Sequence, residues 1–169
     1  MGERACSVLF LGTGNATRSI MAEALLRHHA GDRFVVHSAG TRPTWRISRT
    51  VLAALARHGI VDPTLRSKSW AEFRDGAAVS LDIVLWVCVP AAHDVQPAWP
   101  GNPVIADWTM PDPAAADGGE LERRSAFSGA LRVLESRVQL LEGIPVAELD
   151  REELHARLQE IARDPRAAR

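Results

Sequence analysis

The amino-acid sequence predicts a single doubly wound α/β domain, in which a four-stranded parallel sheet is flanked by helices. Short runs rich in Val, Leu, Ile and Phe alternate along the chain with longer segments of helical periodicity. This alternation is typical of parallel sheets that carry helices on both faces. The runs are apolar at successive positions, as expected of strands buried on both sides. The four predicted strands lie near residues 7–11, 34–38, 81–88 and 103–106.

Helical periodicity separates the strands at about residues 19–29, 47–58 and 120–142. The third segment shows it most clearly, because its apolar residues recur at intervals of three and four and therefore share one face. These residues are Phe127, Leu131, Leu134, Val138 and Leu141. Gly143 and Pro145 are predicted to end this helix.

An extra helix is predicted at the C-terminal end of the chain. Asp150 and Glu153 have the spacing of a capping box at its start, and Asp164-Pro165 ends it. Its apolar stripe consists of Leu154, Leu158 and Ile161. We expect this stripe to pack back on the domain, and the alternative is a dimer contact. The protein is therefore predicted to be a monomer or a homodimer through this helix.

Composition narrows the class of protein. The chain has 169 residues, 46% hydrophobic and 24% charged, which is enough for one full core. A formal net charge of −1 gives no reason to expect nucleic-acid or membrane partners. No apolar run reaches the roughly 18 residues of a membrane span, and the first residues lack the apolar core of a signal peptide. We therefore expect a cytoplasmic protein.

A glycine-bearing loop follows the first strand and leads into the first helix. It reads Gly12-Thr13-Gly14-Asn15-Ala16-Thr17-Arg18-Ser19. In this layout the backbone N–H groups of the loop and the start of the helix point at one place, which suits a tetrahedral oxyanion. A guanidinium at a helix start is electrostatically unfavourable unless an anion lies nearby, and it can bind two phosphate oxygens at once. Residues 12–18 are therefore the predicted phosphate-binding loop.

This loop resembles the signature Cys-x5-Arg-Ser of low-molecular-weight protein tyrosine phosphatases and of the arsenate reductases built on the same fold. The chain keeps Asn15, Arg18 and Ser19, and it has Gly12 where that family has its nucleophilic cysteine. The resemblance implies the phosphatase-like fold and an anion-binding loop without its usual nucleophile.

Four further segments resemble the family in the same order. They are Ser38-Ala39-Gly40-Thr41, Arg66-Ser67-Lys68-Ser69, the strand from Asp82 to Cys88, and Trp108-Thr109-Met110-Pro111-Asp112-Pro113. The second of these is typical of the arsenate reductases. The resemblance covers residues 1–145 as one phosphatase-like domain, and residues 146–169 form a C-terminal helical extension.

The resemblance implies that Asp112, Arg18 and Ser19 are catalytic. Asp112 lies between two prolines that stiffen its loop, and in the family this aspartate protonates the leaving-group oxygen. The alternative is an ordinary turn aspartate. Ser19 is either a simple helix cap or a hydroxyl directed into the loop, where it would hold a water molecule. Asn15 is expected to fix the loop, because asparagine tolerates the left-handed backbone conformation.

The chain contains two cysteines, Cys6 and Cys88, which form neither a disulfide framework nor a zinc pattern. No cofactor or metal is expected. Thioredoxin-coupled arsenate reductases resemble the stretch around Cys88 but use a further cysteine downstream, where this chain has only residues 92–97 without one. A thiol relay therefore lacks its partners, and Cys88 is interpreted as a buried structural residue.

The predicted substrate pocket contains Trp45, Arg46 and Trp108. Trp45 either stacks on a nucleobase or another flat group, or is a partly buried loop aromatic. The chain has no tyrosine, and three alanines follow Pro113. Both features favour a small phosphorylated metabolite over a phosphoprotein.

Three hypotheses for the function follow. The first is a cysteine-less phosphatase, in which water attacks a phosphate monoester held in the loop. The second is an inactive pseudophosphatase that binds a phosphorylated partner, and the third is a variant of an ordinary cysteine enzyme changed at residue 12. The presence of Asp112 favours the first, because a protein that only binds phosphate has no need of an acid beside it, and a like charge there weakens binding.

Overall fold

The computed structural model describes residues 4–74, 79–89 and 98–167. Four parallel strands form one sheet in the order β2-β1-β3-β4, which confirms the predicted architecture. The strands are β1, Cys6–Gly12; β2, Phe34–Gly40; β3, Ile83–Trp86; and β4, Val104–Asp107. β3 covers only the four central residues of the predicted range 81–88.

The helices predicted from periodicity are α1, α2 and α4 of the structure, and α3 is a single turn that the sequence did not predict. The helices, including the C-terminal helix α5, are α1, Arg18–Ala30; α2, Arg49–Arg57; α3, Ala71–Arg74; α4, Glu120–Glu142; and α5, Arg151–Arg163. Short 3-10 turns lie at Pro113–Ala115, Val146–Glu148 and Pro165–Ala167. Within the described ranges, no helix combines the length and the apolar character needed to cross a membrane.

Alternate residues of β1 point to opposite faces of the sheet and belong to two separate cores. Val8 and Phe10 lie in the larger core, which the long helices cover. Leu9 and Leu11 lie in a smaller core with Phe73 of α3. Since both faces are covered, the strand is apolar at every one of these positions.

The C-terminal helix α5 packs back on the domain, as predicted. The Asp150 carboxylate accepts the amides of Glu152 and Glu153 at 2.9 Å, and the Glu153 carboxylate accepts the Asp150 amide at 3.1 Å. The stripe of Leu154, Leu158 and Ile161 is buried in the larger core. Association of two copies through this helix stays a prediction.

Replacing Leu158 by alanine should lower the free energy of unfolding by about 2–5 kcal/mol, the usual cost of truncating a buried leucine. The side chain is fully buried. Urea unfolding followed by tryptophan fluorescence measures the change. The neighbouring Arg157, whose side chain is 63% exposed, offers Arg157→Ala as a control that should cost less than about 0.5 kcal/mol. Equal effects of the two substitutions would contradict the packing of α5 in the core.

Candidate active site

The loop of residues 13–17 joins β1 to α1 at the carboxyl edge of the sheet. Its carbonyl groups are turned toward the segment that follows β2 and accept N–H groups from it at 2.9–3.1 Å. The donors are Thr41, Arg42, Thr44 and Ser48, and the acceptors are Gly12, Thr13, Gly14 and Ala16, respectively. Gly40 permits this close packing, because a Cβ there would lie 2.3 Å from the Thr13 carbonyl oxygen.

The bonded carbonyls fix the direction of the loop amides, since C=O and N–H point in opposite directions in a trans peptide group. The amides of Thr13, Gly14, Asn15 and Thr17 are therefore turned away from the segment that follows β2, and all four residues line the cleft. The Thr13 amide donates to Cys88 Sγ at 3.1 Å, and the other three have no acceptor in the part of the chain that the structure describes. Three free amides at the start of α1 form a concavity suited to a tetrahedral oxyanion.

The Asn15 side chain links the loop to neighbouring segments through hydrogen bonds. Asn15 has a φ of 48°, the left-handed conformation that the sequence predicts there. Its Nδ2 donates to the hydroxyls of Ser19 at 2.9 Å and Ser38 at 2.8 Å, and its Oδ1 accepts the Lys68 amide at 2.8 Å. These hydrogen bonds are buried, and they fix the loop in one conformation.

Ser19 directs its hydroxyl into the loop. The N-cap of α1 is Thr17, which makes no side-chain capping bond, so the interpretation of Ser19 as a simple cap is wrong. A Cβ built on Gly12 would lie 3.4 Å from Ser19 Oγ. The hydroxyl therefore borders the place where a side chain of residue 12 would begin.

A buried charged group lies beneath this network. The Ser38 hydroxyl donates to the Glu23 carboxylate, which also contacts Lys68 Nζ at 3.4 Å and Arg27 Nη2 at 2.5 Å. Burial lowers the pKa of the Lys68 ammonium from its ordinary value, and the Glu23 charge opposes this shift. Neither Glu23 nor Lys68 is predicted from the sequence as a residue of the site, because their partners come from segments far apart in the chain.

Arg18 joins the phosphate-binding loop to the Asp-Pro loop. Its Nη1 donates to the Met110 carbonyl at 2.9 Å, and its Nη2 lies 3.4 Å from Asp112 Oδ2. The other Asp112 oxygen accepts the Ala114 amide at 3.0 Å and so begins the 3-10 turn. Two residues predicted from distant parts of the sequence are thus brought together at the mouth of the cleft.

Cys88 is buried, as predicted, but its sulfur also lies in the candidate site. A Cβ built on Gly12 would be 3.5 Å from Cys88 Sγ. The interpretation of Cys88 as a purely structural residue therefore misses its position. The cleft is lined by residues 12–19 together with Thr44, Val87, Cys88, Asp112 and Ala114. Residues 92–97, which contain no cysteine, lie outside the described residues.

The predicted substrate-pocket residues lie in different environments. Trp45 lies on the segment after β2 that donates hydrogen bonds to the phosphate-binding loop. Its side chain is 66% exposed, so it is not a partly buried aromatic. Arg46 is exposed beside it. Trp108 is fully buried in the larger core, where its indole N–H donates to the Leu158 carbonyl at 2.9 Å. The prediction that Trp108 contacts substrate is wrong, because α5 covers this side chain.

The loop of residues 13–17 at the carboxyl edge of the parallel sheet, with the Asp-Pro loop beside it, makes this an α/β domain of the phosphatase type. Residues 7–155 match the family model described as low molecular weight phosphotyrosine protein phosphatase, and the chain belongs to this family. Among the described residues, no group of three or more His, Cys, Asp or Glu side chains is arranged to hold a metal ion.

The chain is similar to proteins named arsenate reductase, and it shares its fold with a solved tyrosine phosphatase. The chain is 32% identical over 120 residues to an arsenate reductase of Halalkalibacterium halodurans, a match covering 71% of this chain and 83% of that one. The crystal structure of an arsenate reductase from Archaeoglobus fulgidus has a TM-score of 0.62 at 30% identity, covering 81% of this chain and 99% of the other. The low molecular weight protein tyrosine phosphatase of T. tengcongensis has a TM-score of 0.63 at 20% identity, covering 83% and 100%, and shares the fold.

Proposed function

We propose that this chain is a phosphatase that hydrolyses the phosphate monoester of a small metabolite. The observation that carries the proposal is that Gly14, Asn15, Thr17 and Arg18 line one cleft, and that the amides of the first three have no acceptor among the described residues. Phosphoryl transfer requires mainly positioning and charge stabilisation from the protein, and these groups can supply both.

Asp112 is the proposed proton donor to the leaving-group oxygen. Its carboxylate is held by Arg18 and by the Ala114 amide at the mouth of the cleft, on the side where an ester group would leave. We infer that Gly12 stands where the family has its cysteine. Because Gly12 has no side chain, an attacking group has room to approach phosphorus from the floor of the loop. Direct attack by water is the mechanism predicted from the sequence.

The names of the relatives raise arsenate reduction as the competing activity, and arsenate is also a tetrahedral oxyanion. Reduction of arsenate to arsenite takes two electrons, which a pair of thiols supplies by forming a disulfide. Of the two cysteines in the sequence, only Cys88 reaches the loop, whereas Cys6 starts β1 at the opposite edge of the sheet. This arrangement favours hydrolysis over reduction.

The rim of the cleft favours a small substrate. Ala114 forms part of one side, and Trp45 is exposed on the segment that braces the other. A tryptophan in this position can stack on a flat group such as a nucleobase or an aryl ring. We propose a nucleoside, sugar or aryl phosphate as substrate, and a cytoplasmic location for the protein.

The proposal is tested by incubating the purified protein with a panel of sugar, nucleoside and aryl phosphates and measuring released inorganic phosphate. We expect turnover of at least one class, competitive inhibition by inorganic phosphate, and no loss of activity in EDTA. Binding of these compounds without turnover would overturn the proposal and support the pseudophosphatase hypothesis instead.

Replacing Gly12 by cysteine distinguishes the first hypothesis from the third. The nearest atoms to an added Cβ lie at 3.4–3.7 Å, so the variant should fold. We expect turnover of the best substrate to fall by about 10²-fold, because the new side chain fills the approach to phosphorus. Gly12→Ala, which fills the same approach without a thiol, should lower the rate similarly. Strong new activity in the cysteine variant alone would show that the chain is an altered cysteine enzyme.

A further inference from the structure

The Cys88 thiol enters the floor of the phosphate-binding loop from the strand beside it. The Thr13 N–H donates to its sulfur at 3.1 Å, and Thr13 Oγ1 lies 3.5 Å away. A Cβ on Gly12 would lie 3.5 Å from the same sulfur. A thiol is therefore present near the position that a side chain of residue 12 would occupy, although residue 12 does not supply it.

The strand register brings this thiol to the loop. Leu11 of β1 is paired with Trp86 of β3, and the Val87 amide continues the contact by donating to the Leu11 carbonyl at 3.0 Å. Cys88 follows directly and therefore lies beside Gly12 and Thr13. The Met110 amide donates to the Val87 carbonyl at 3.3 Å, which links the same segment to the Asp-Pro loop.

Among the described residues, no carboxylate or imidazole lies near the place where a side chain of residue 12 would begin. The nearest atoms to an added Cβ at Gly12 are Ser19 Oγ, Cys88 Sγ and Ser19 Cβ, and none of these belongs to a carboxylate or an imidazole. The Asp112 carboxylate is held at the mouth by Arg18. A thiolate needs no such base at the moment of attack and is a strong nucleophile.

We propose that Cys88 is the nucleophile of the phosphatase reaction, an inference that rests on the proposed function. The thiol first gives its proton to solvent. Its sulfur then attacks phosphorus, an S–P bond forms, the ester P–O bond breaks, and Asp112 gives a proton to the leaving oxygen. Water next attacks the phosphocysteine, Asp112 takes up a proton, the S–P bond breaks, and inorganic phosphate leaves. The Thr13 amide stabilises negative charge on sulfur before attack and again when phosphate departs.

Cys6 provides the matched control. It lies at the start of β1, far from the loop, and burial raises the pKa of its thiol to about 12. Cys6→Ser should therefore leave turnover unchanged. Cys88→Ser and Cys88→Ala should lower turnover of p-nitrophenyl phosphate by roughly 10³-fold or more, as expected when a covalent nucleophile is removed.

Rapid quenching of the wild-type protein with radiolabelled p-nitrophenyl phosphate tests the step itself. We expect a burst of p-nitrophenol, equal to the enzyme concentration, and covalent phosphate that mass spectrometry assigns to Cys88. Thermal stabilisation by inorganic phosphate reports whether the Cys88 variants keep the binding loop. If a Cys88 variant no longer binds phosphate, its loss of turnover says nothing about the nucleophile, and the labelling of the wild-type protein is the test. Absence of label on Cys88 in the wild-type protein overturns the proposal.

The outcomes separate this proposal from the proposed function. Full turnover in both Cys88 variants, with no covalent phosphate in the wild-type protein, would overturn the role of Cys88 and leave direct attack by water. Absence of turnover by the wild-type protein over the whole substrate panel would overturn the phosphatase function, and the role of Cys88 with it.

Discussion

Substitution of Arg18 by lysine should lower phosphate-ester hydrolysis by roughly 10²–10³-fold, the range for removal of one preorganised oxyanion donor. Lysine keeps the positive charge but lacks the planar fork that binds two phosphate oxygens together. It also cannot hold the Met110 carbonyl and the Asp112 carboxylate as the guanidinium does, with contacts of 2.9 and 3.4 Å. We therefore expect both phosphate binding and proton donation by Asp112 to be weakened.

Steady-state kinetics with p-nitrophenyl phosphate and inhibition by inorganic phosphate measure the effect of Arg18→Lys. Arg57→Lys, at the exposed end of α2, is the matched control and should behave as the wild-type protein does. An Arg18 variant that keeps its rate and its phosphate inhibition within about twofold would show that this guanidinium does not bind the substrate.

Replacing Asp112 by asparagine should slow hydrolysis of sugar and other alkyl phosphates by roughly 10²–10⁴-fold, the range for loss of a general acid. Asparagine keeps an oxygen that can accept the Ala114 amide, so the 3-10 turn should persist. The loss should be much smaller for p-nitrophenyl phosphate, because nitrophenolate leaves without a proton.

The difference between the two leaving groups identifies the role of Asp112. Asp117→Asn, at an exposed position in the same loop region, should change neither rate. Equal losses for alkyl and nitrophenyl substrates in the Asp112 variant would indicate that the carboxylate only positions Arg18. The ratio of the two rates is therefore the quantity to measure.

The sequence predicts those parts of the site that follow the ends of strands. Apolar runs and helical periodicity define a parallel sheet, and ligands bind at the carboxyl edge of such sheets. The loop with Arg18 follows β1, and the segment with Asp112 follows β4, so their meeting was predictable. Asn15 was predictable as well, because few residues tolerate the left-handed conformation.

The rest of the site depends on contacts between distant segments. Cys88 reaches the loop because Leu11 pairs with Trp86, and neither strand encodes this register by itself. Trp108 is predicted to line the pocket because its sequence neighbours do not show that α5 covers it. In the structure its indole N–H donates to the Leu158 carbonyl of α5. Glu23 and Lys68 lie far apart in the sequence, and their ion pair forms only when α1 and the segment after α2 come together in the fold.

A crystal structure of the protein grown in inorganic phosphate is the most direct measurement of oxyanion binding by residues 12–18. We expect a tetrahedral anion whose oxygens lie about 2.7–3.2 Å from the amides of Gly14, Asn15 and Thr17, the usual range for such hydrogen bonds, with Arg18 in contact. A loop without the anion at high phosphate concentration, and an Arg18 side chain turned toward solvent, would contradict both phosphate binding and the proposed hydrolysis.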